Sequence, residues 1–293
     1  MSNVIVSFSR SPIGSFLGSL STVSAPRLGA IAIKGAIDNS NLDKSLIDQV
    51  IMGNVLSAGV GQAPARQASI YAGLSDSVDC LTINKMCGSG LQAIMLADDI
   101  IKNNPDKIIL AGGMESMSLC PHYLINSRTG VKLGDGKIID GMISDGLWDI
   151  YNDKHMGNCA EMCADKYNIS REEQDEYAIR SYRLAQEAIA TKKFTSEINP
   201  VEITSKKGVT IIDTDEEPSR VSFDKLKTLR PVFEKQGTVT AGNASTINDG
   251  AAVCLIMSSD RASALGLKPL ANIKGHCSFS QAPEWFTTSP IYS

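Results

Sequence analysis

The sequence predicts an α/β protein of two domains: a buried sheet covered by helices on both sides, and a small second fold inserted into it. Three observations predict this. The N-terminal third alternates short β-branched runs with stretches of helical spacing. Those runs are apolar on both faces, as parallel strands between two helical layers are. The pattern stops near Met114 and returns near Thr238, and 293 residues suffice for two domains.

Val4–Phe8 is a β-branched strand, and Pro26 opens a helix in which Leu28, Ile31, Ala32 and Ile33 recur with helical spacing. Asp48–Val55 holds a second strand around Val50, Ile51 and Met52, and Ala63–Ala72 reads as a helix. Cys80–Met86 is a third strand, after which Gly88, Ser89 and Gly90 open a helix to Ile101. Lys107–Ala111 is a fourth strand with Ile108, Ile109 and Leu110 at its centre. From about Met114 to about Gln236 charge and turns increase, and five glycines between Gly130 and Gly146 break up Ser127–Ile150. Ser170 with Glu173 forms a capping box for a helix to about Thr191. Ala251–Met257 is an apolar strand, and Leu270–Gly275 begins another.

The net charge is −4, and the nearest approach to a basic stripe is the pairs Lys192–Lys193 and Lys206–Lys207, read as solvated faces. A nucleic-acid partner is not expected. The N-terminus lacks the basic start and apolar run of a secretory signal, and no stretch approaches the roughly 20 apolar residues that span a bilayer. Seven scattered cysteines without a Cys-x-x-Cys pair point to a reducing compartment, and a cytoplasmic protein is expected.

The sharpest local signal is NKMCGSGL at 84–91. Cys87 sits between a strand and a helix, where free N–H groups and the helix dipole favour a thiolate. Gly88 and Gly90 let the backbone approach a bound thioester and leave N–H groups for a developing oxyanion. A buried cysteine at a tight turn reads the same residues about equally well. His155, before Met156 and Gly157, is a base or ligand-fixing group on one reading and a capped surface histidine on the other. His155, Cys159 and Cys163 share a helical face but lack a fourth ligand at the usual spacing, so no metal site is expected. The small polar run Thr240–Gly250 lines a ligand cleft or simply enters a strand. No phosphate-binding glycine fingerprint is present.

Together these segments resemble the thiolase family. NKMCGSGL at 84–91 is similar to its nucleophile motif, and AGGMESMS at 111–118 to the strand-end motif after it. DGLW at 145–148 with HMG at 155–157 resembles the segment covering the substrate, and GTVTAGNAS at 237–245 with NDGAA at 248–252 the loop on the coenzyme A side. The spacing is closest to the short-chain, acetoacetyl-CoA type. The resemblance runs from Ser7 to Pro290.

The resemblance implies a five-layered αβαβα fold of two similar halves, with a loop domain that covers coenzyme A. It implies an acetyl-CoA acetyltransferase: two acetyl-CoA condense to acetoacetyl-CoA and coenzyme A, or the reverse, through an acetyl-Cys87 intermediate. It places Leu147, His155 and Met156 near the acyl and pantetheine end, Ser245 on the pantetheine arm, and Arg220 at the nucleotide end. No permanently bound cofactor is expected; coenzyme A and acetyl-CoA are substrates. Self-association as a dimer or tetramer is implied, without a nucleic acid or membrane partner.

The expected domains are 1–118 with 238–269 for the N-terminal half, 119–237 for the inserted loop domain, and 270–293 for the start of a C-terminal half. Most of that second half, roughly a hundred residues in the family, is expected to be missing. The Asn-Glu-Ala-Phe, Gly-His-Pro and Cys-x-Gly-Gly-Gly motifs that the family carries there do not occur in this sequence. The chain as given is therefore expected to be catalytically incomplete. The alternatives are a non-catalytic coenzyme A-binding or assembly remnant and, more remotely, a ketosynthase. The helix after Cys87, apolar nearly all round, lies between two halves in the family, so part of it is expected to be exposed here.

Overall fold

The computed structural model describes residues 2–206 and 208–293, so Lys207 of the second lysine pair lies outside the described residues. In chain order the main elements are strand β1 (Asn3–Arg10), helix α1 (Ala25–Ser40), β2 (Gln49–Gly53), α2 (Pro64–Tyr71), β3 (Asp79–Ile83), α3 (Ser89–Asn103) and β4 (Ile109–Ser116). There follow α4 (Met156–Tyr167), α5 (Arg171–Ala190), β5 (Val201–Ser205), β6 (Gly208–Ile212), β7 (Asn248–Ser258), α6 (Ser259–Ala264) and β8 (Ala271–Asn272).

The chain forms two compact units. The first takes Met1–Leu119, Lys192–Glu216 and Asn248–His276; the second takes Cys120–Thr191, Glu217–Ile247 and Cys277–Ser293. In the first, one mixed sheet runs β8-β1-β7-β4-β2-β3, with Gly14–Ser15 beside the start of β7. The β2–β3 and β2–β4 pairs are parallel, as expected of strands joined through helices. β7 is antiparallel to both β1 and β4. Its continuous apolar run reflects burial on both faces, which does not encode strand direction.

The two faces follow the strand period of two. Val50 and Met52 of β2, Leu110 of β4 and Val253 and Leu255 of β7 pack on one side with Leu28 and Ile33 of α1 and Ala65 and Ala68 of α2. Ile51, Ile109, Ala111 and Ile256 point to the other side and meet Ala93, Ala97 and Ile101 of α3. The first unit is thus a three-layer α/β/α arrangement. Only one stripe of α3 is covered: Ala93, Ala97 and Ile101 are buried, Ile94 and Met95 are half-buried, and Leu91 is 71% exposed.

The units depart from the expected boundaries in three places, each for a local reason. Residues 192–216, with the β5–β6 hairpin, join the first unit. Arg10 holds them there, pairing with Glu197 at 2.7 Å and with both carboxylate oxygens of Asp215 at 2.7 and 2.9 Å. Residues 238–247 join the second unit through Glu161 and Asp175. Residues 277–293 also join the second unit: Asn152 donates to Glu284 at 3.1 Å, and Lys166 lies 4.0 Å from the centre of the Trp285 ring. Of the segment expected to open another half, Ala271–Asn272 simply adds an edge strand to β1.

The second unit is built on α4 and α5. The capping box of α5 is formed, Ser170 and Glu173 each accepting from the other's backbone N–H. Ala178 and Ile179 pack on Leu226, with Tyr182, Val221 and Phe223 around them. His122–Leu124 pairs with Ile138–Asp140, and Trp148–Asp149 with Lys154–His155. Among the described residues no helix is long and apolar enough to cross a membrane.

Candidate active site

Cys87 lies in the turn between β3 and α3, beyond the carboxyl ends of the parallel strands β2, β3 and β4, and is exposed. Ligands of open α/β sheets bind at such strand ends. The third strand, expected to reach Met86, stops at Ile83 because the next residues fold into the turn. Asn84 Oδ1 accepts from Met86 N–H at 2.9 Å, and Met86 takes φ +50, a left-handed conformation that a non-glycine residue adopts at a cost.

Glycines let α3 start close against the sheet. A Cβ on Gly53 at the end of β2 would lie 2.6 Å from Ser89 Cβ and 2.9 Å from Gly90 N. Gly90 in turn faces Gly113 of β4, whose position for a Cβ is 3.4 Å from Gly90 Cα. The loop after β2 is tied in by Glu115, which accepts from Asn54 Nδ2 at 2.7 Å, Val55 N–H at 2.8 Å and Leu56 N–H at 3.1 Å. Burial pushes the Glu115 carboxyl up, against the pull of these hydrogen bonds.

The other five sequence-predicted residues all lie in the second unit. His155 stands just before α4, and its Nδ1 accepts from Gly157 N–H at 3.0 Å, so the imidazole caps the helix. Its ring stacks on Phe233, centroids 4.8 Å apart, and meets Trp148 edge-on at 6.4 Å. Burial holds the His155 pKa below its usual value. Met156 opens α4 and is half-buried, and Leu147 ends the helical turn Ile143–Leu147, also half-buried. Arg220 is exposed at the end of the short helix Glu217–Arg220.

Ser245 is exposed on a loop whose preceding residues are fixed. Asn243 Oδ1 accepts from Thr240 N–H at 2.8 Å, while its Nδ2 donates to Asp175 at 2.9 Å and to the Thr238 carbonyl at 3.0 Å. Glu161 of α4 is 3% exposed and accepts from the backbone N–H of Thr238 and of Val239.

Sequence reasoning missed Phe233 and Glu161, and read Trp148 and Asn243 only as members of their motifs; all four support the second-unit residues just described. The signal for Phe233 was Gly157, where any Cβ would run into the Phe233 ring. Of His155, Cys159 and Cys163, expected on one helical face, only the two cysteines lie in α4: His155 precedes it in extended conformation with its Nδ1 occupied by the cap, and Cys159 is fully buried. Among the described residues the one grouping with metal-ligand proximity is Asp98, Asp99 and His276. Lys102 also pairs with both aspartates, so the grouping is a charge-paired network.

Residues 3–260 match the family described as "Thiolase, N-terminal domain". The chain is similar to acetyl-CoA acetyltransferase 2 of Arabidopsis thaliana, at 50% identity over 289 residues, which are 98% of this chain and 72% of the plant protein. It is similar to the acetyl-CoA acetyltransferase of Pseudomonas aeruginosa, at 46% identity over 290 residues, 98% of this chain and 74% of the bacterial one. It is also similar to the mitochondrial acetyl-CoA acetyltransferase of Rattus norvegicus, at 48% identity over 292 residues, 99% of this chain and 68% of the rat protein.

Proposed function

Since the chain belongs to the thiolase family, and its relatives make it an acyltransferase, we propose that it interconverts two acetyl-CoA with acetoacetyl-CoA and coenzyme A through Cys87. The observation that carries this reading is the placement of Cys87, exposed in a tight glycine-flanked turn at the strand ends and before α3. The Cys87 thiolate attacks the thioester carbonyl of acetyl-CoA. A carbon–sulfur bond forms to Cys87, the bond to coenzyme A breaks, and the departing thiolate takes up a proton. A second acetyl-CoA loses a methyl proton and its carbon attacks acetyl-Cys87, which releases the thiol and leaves acetoacetyl-CoA. Leu147, His155, Met156, Ser245 and Arg220 are the residues we assign to coenzyme A, with no permanently bound cofactor.

The finer parts of the reading are proposals as well. The sequence has three histidines. His155 caps α4, His276 Nε2 lies 3.2 Å from both Asp98 and Asp99, and His122 sits in a two-stranded ladder. None carries the Gly-His-Pro motif of the family's activating base. We therefore assign the activating base to none of the three, and assign to Cys87 the acceptance of the acetyl group. Self-association as a dimer or tetramer belongs to the same reading, supported by the uncovered face of α3. So does a cytoplasmic location, supported by seven free cysteines.

Thiolysis of acetoacetyl-CoA by coenzyme A, followed by the loss of its absorbance, tests the proposal. Turnover that disappears in Cys87→Ala is the expected result. A Cys87→Ala variant as active as the wild type would overturn the function.

A further inference from the structure

Ser89 is buried, with 4% of its surface exposed, at the first turn of α3. It lies two residues beyond Cys87, and its hydroxyl works in both directions. Ser89 Oγ accepts from the backbone N–H of Lys85 at 2.8 Å and donates to the carbonyl of Met86 at 2.6 Å. The backbone N–H of Ser89 donates to the same Met86 carbonyl at 3.0 Å, and Gly88 N–H to the Lys85 carbonyl at 3.2 Å. One side chain therefore closes a ring around the two residues that precede Cys87. Met86 is held there in its left-handed conformation, φ +50, which needs an external restraint in a residue with a Cβ. Ser89 itself cannot drift, because Gly53 packs against its Cβ from the end of β2.

We propose that Ser89 is a positioning residue for the Cys87 nucleophile: its two hydrogen bonds lock the strained turn and fix where the sulfur stands before α3. The inference rests on the reading that Cys87 is the nucleophile, and deepens it. Lys85, Met86 and Cys87 are all exposed; beside this clamp the turn is held by the Asn84–Met86 bond, two backbone bonds and the exposed contact from Lys85 Nζ to Gln92, and the buried Ser89 hydroxyl is the one of these shielded from water. Glycine-rich sequence on the far side of Cys87 gives the backbone freedom rather than restraint. The restraint comes from the serine between the two glycines.

Ser40 supplies the comparison. Its hydroxyl is engaged in the same two-way fashion at the end of α1, donating to the Ile37 carbonyl at 2.7 Å and accepting from Leu42 N–H at 3.1 Å. It is also buried. The test measures the second-order rate of Cys87 alkylation by iodoacetamide across pH in wild type, Ser89→Ala and Ser40→Ala, with Cys277, also exposed, as internal reference. Removing a bond that orders a reacting group costs up to roughly tenfold in rate. The expected result is a fall of about that size in the ratio of Cys87 to Cys277 labelling in Ser89→Ala, with Ser40→Ala unchanged in that ratio even where both variants melt lower. Equal ratios in all three proteins would overturn the proposal. Native-state hydrogen exchange on the wild type reads the same bond without a substitution, in case Ser89→Ala does not fold. The Lys85 amide, on an exposed residue, is expected to exchange many-fold slower than a free amide, and exchange at the free rate would overturn the clamp. Failure of the underlying reading looks different: wild-type Cys87 would take no acetyl group from acetyl-CoA, whatever Ser89 does.

Discussion

Glu161 holds Thr238 by three hydrogen bonds. The Thr238 N–H reaches both carboxylate oxygens, at 2.9 and 2.8 Å, and its hydroxyl donates to Oε2 at 2.8 Å. Val239 N–H adds a fourth at 2.8 Å. A carboxylate this buried is tolerated because its oxygens are satisfied. The loop it anchors runs on to Ser245, so the structural tie and the proposed coenzyme A contact share one segment.

Glu161→Ala leaves two backbone donors buried without an acceptor. The expected cost is about 2–3 kcal/mol of stability, seen as a shift in urea midpoint at unchanged slope. Calorimetric titration should also show coenzyme A affinity several-fold weaker. Affinity unchanged in a destabilised variant would separate the loop from the ligand.

Acid should loosen the start of α4. The cap from His155 needs a neutral Nδ1, and burial lowers the His155 pKa in the folded chain. The unfolded chain then takes the proton first. The contribution is whole above the ordinary value, about 6.5, and is lost as pH falls below it. Solvent screening keeps it under about 1 kcal/mol. Asparagine caps a helix without titrating, so between about pH 7 and pH 5 the Tm of wild type should fall more than that of His155→Asn. Parallel curves would show that His155 does not titrate with folding.

Much of the first unit was legible in the sequence. The continuous apolar runs at Val50–Met52 and Ala251–Met257 are strands, the run Ile108–Leu110 enters one at Ile109, and in the second unit Ser170 with Glu173 marks the start of α5. What was not legible is carried by partners far apart in the chain. Glu161 reads as one more charge on a helix until Thr238, 77 residues on, is seen to use it. The hairpin of β5 and β6 follows a charge-rich stretch, and it joins the first unit through partners far off in the chain: Val201 enters the sheet's core, Asn199 donates to the Ile31 carbonyl, and Arg10 pairs with Asp215. The turn at Cys87 was visible from its glycines, yet Ser89 between them passed as a small residue because its two bonds are made by geometry. The direction of β7 was hidden because burial shapes the apolar pattern of parallel and antiparallel strands alike.

The cysteines should label in an order set by exposure and burial. Cys87 and Cys277 are exposed. Burial pushes the thiols of Cys80, Cys159 and Cys254 up, which keeps them protonated and unreactive to higher pH. Brief iodoacetamide treatment followed by peptide mass spectrometry should find Cys87 first. Early labelling of Cys159, which is fully buried, would contradict the structure.

The bare side of α3 should make the protein associate. Leu91 is 71% exposed and Phe8 43%, on a groove that also takes in Ile94 and Cys254. Sedimentation velocity at tens of micromolar is expected to show a dimer or larger, and Leu91→Lys to shift the distribution toward monomer. A wild-type monomer at that concentration would contradict the proposed self-association.

The central claim is that Cys87 carries the acyl group. Incubation of the folded protein with acetyl-CoA, quenching in acid and peptide mass spectrometry measure this directly. An acetyl group on the peptide that holds Cys87, absent from Cys87→Ala and released on adding coenzyme A, is the expected result. A folded protein that takes no acetyl group, or takes it equally with Cys87 replaced, would contradict the account.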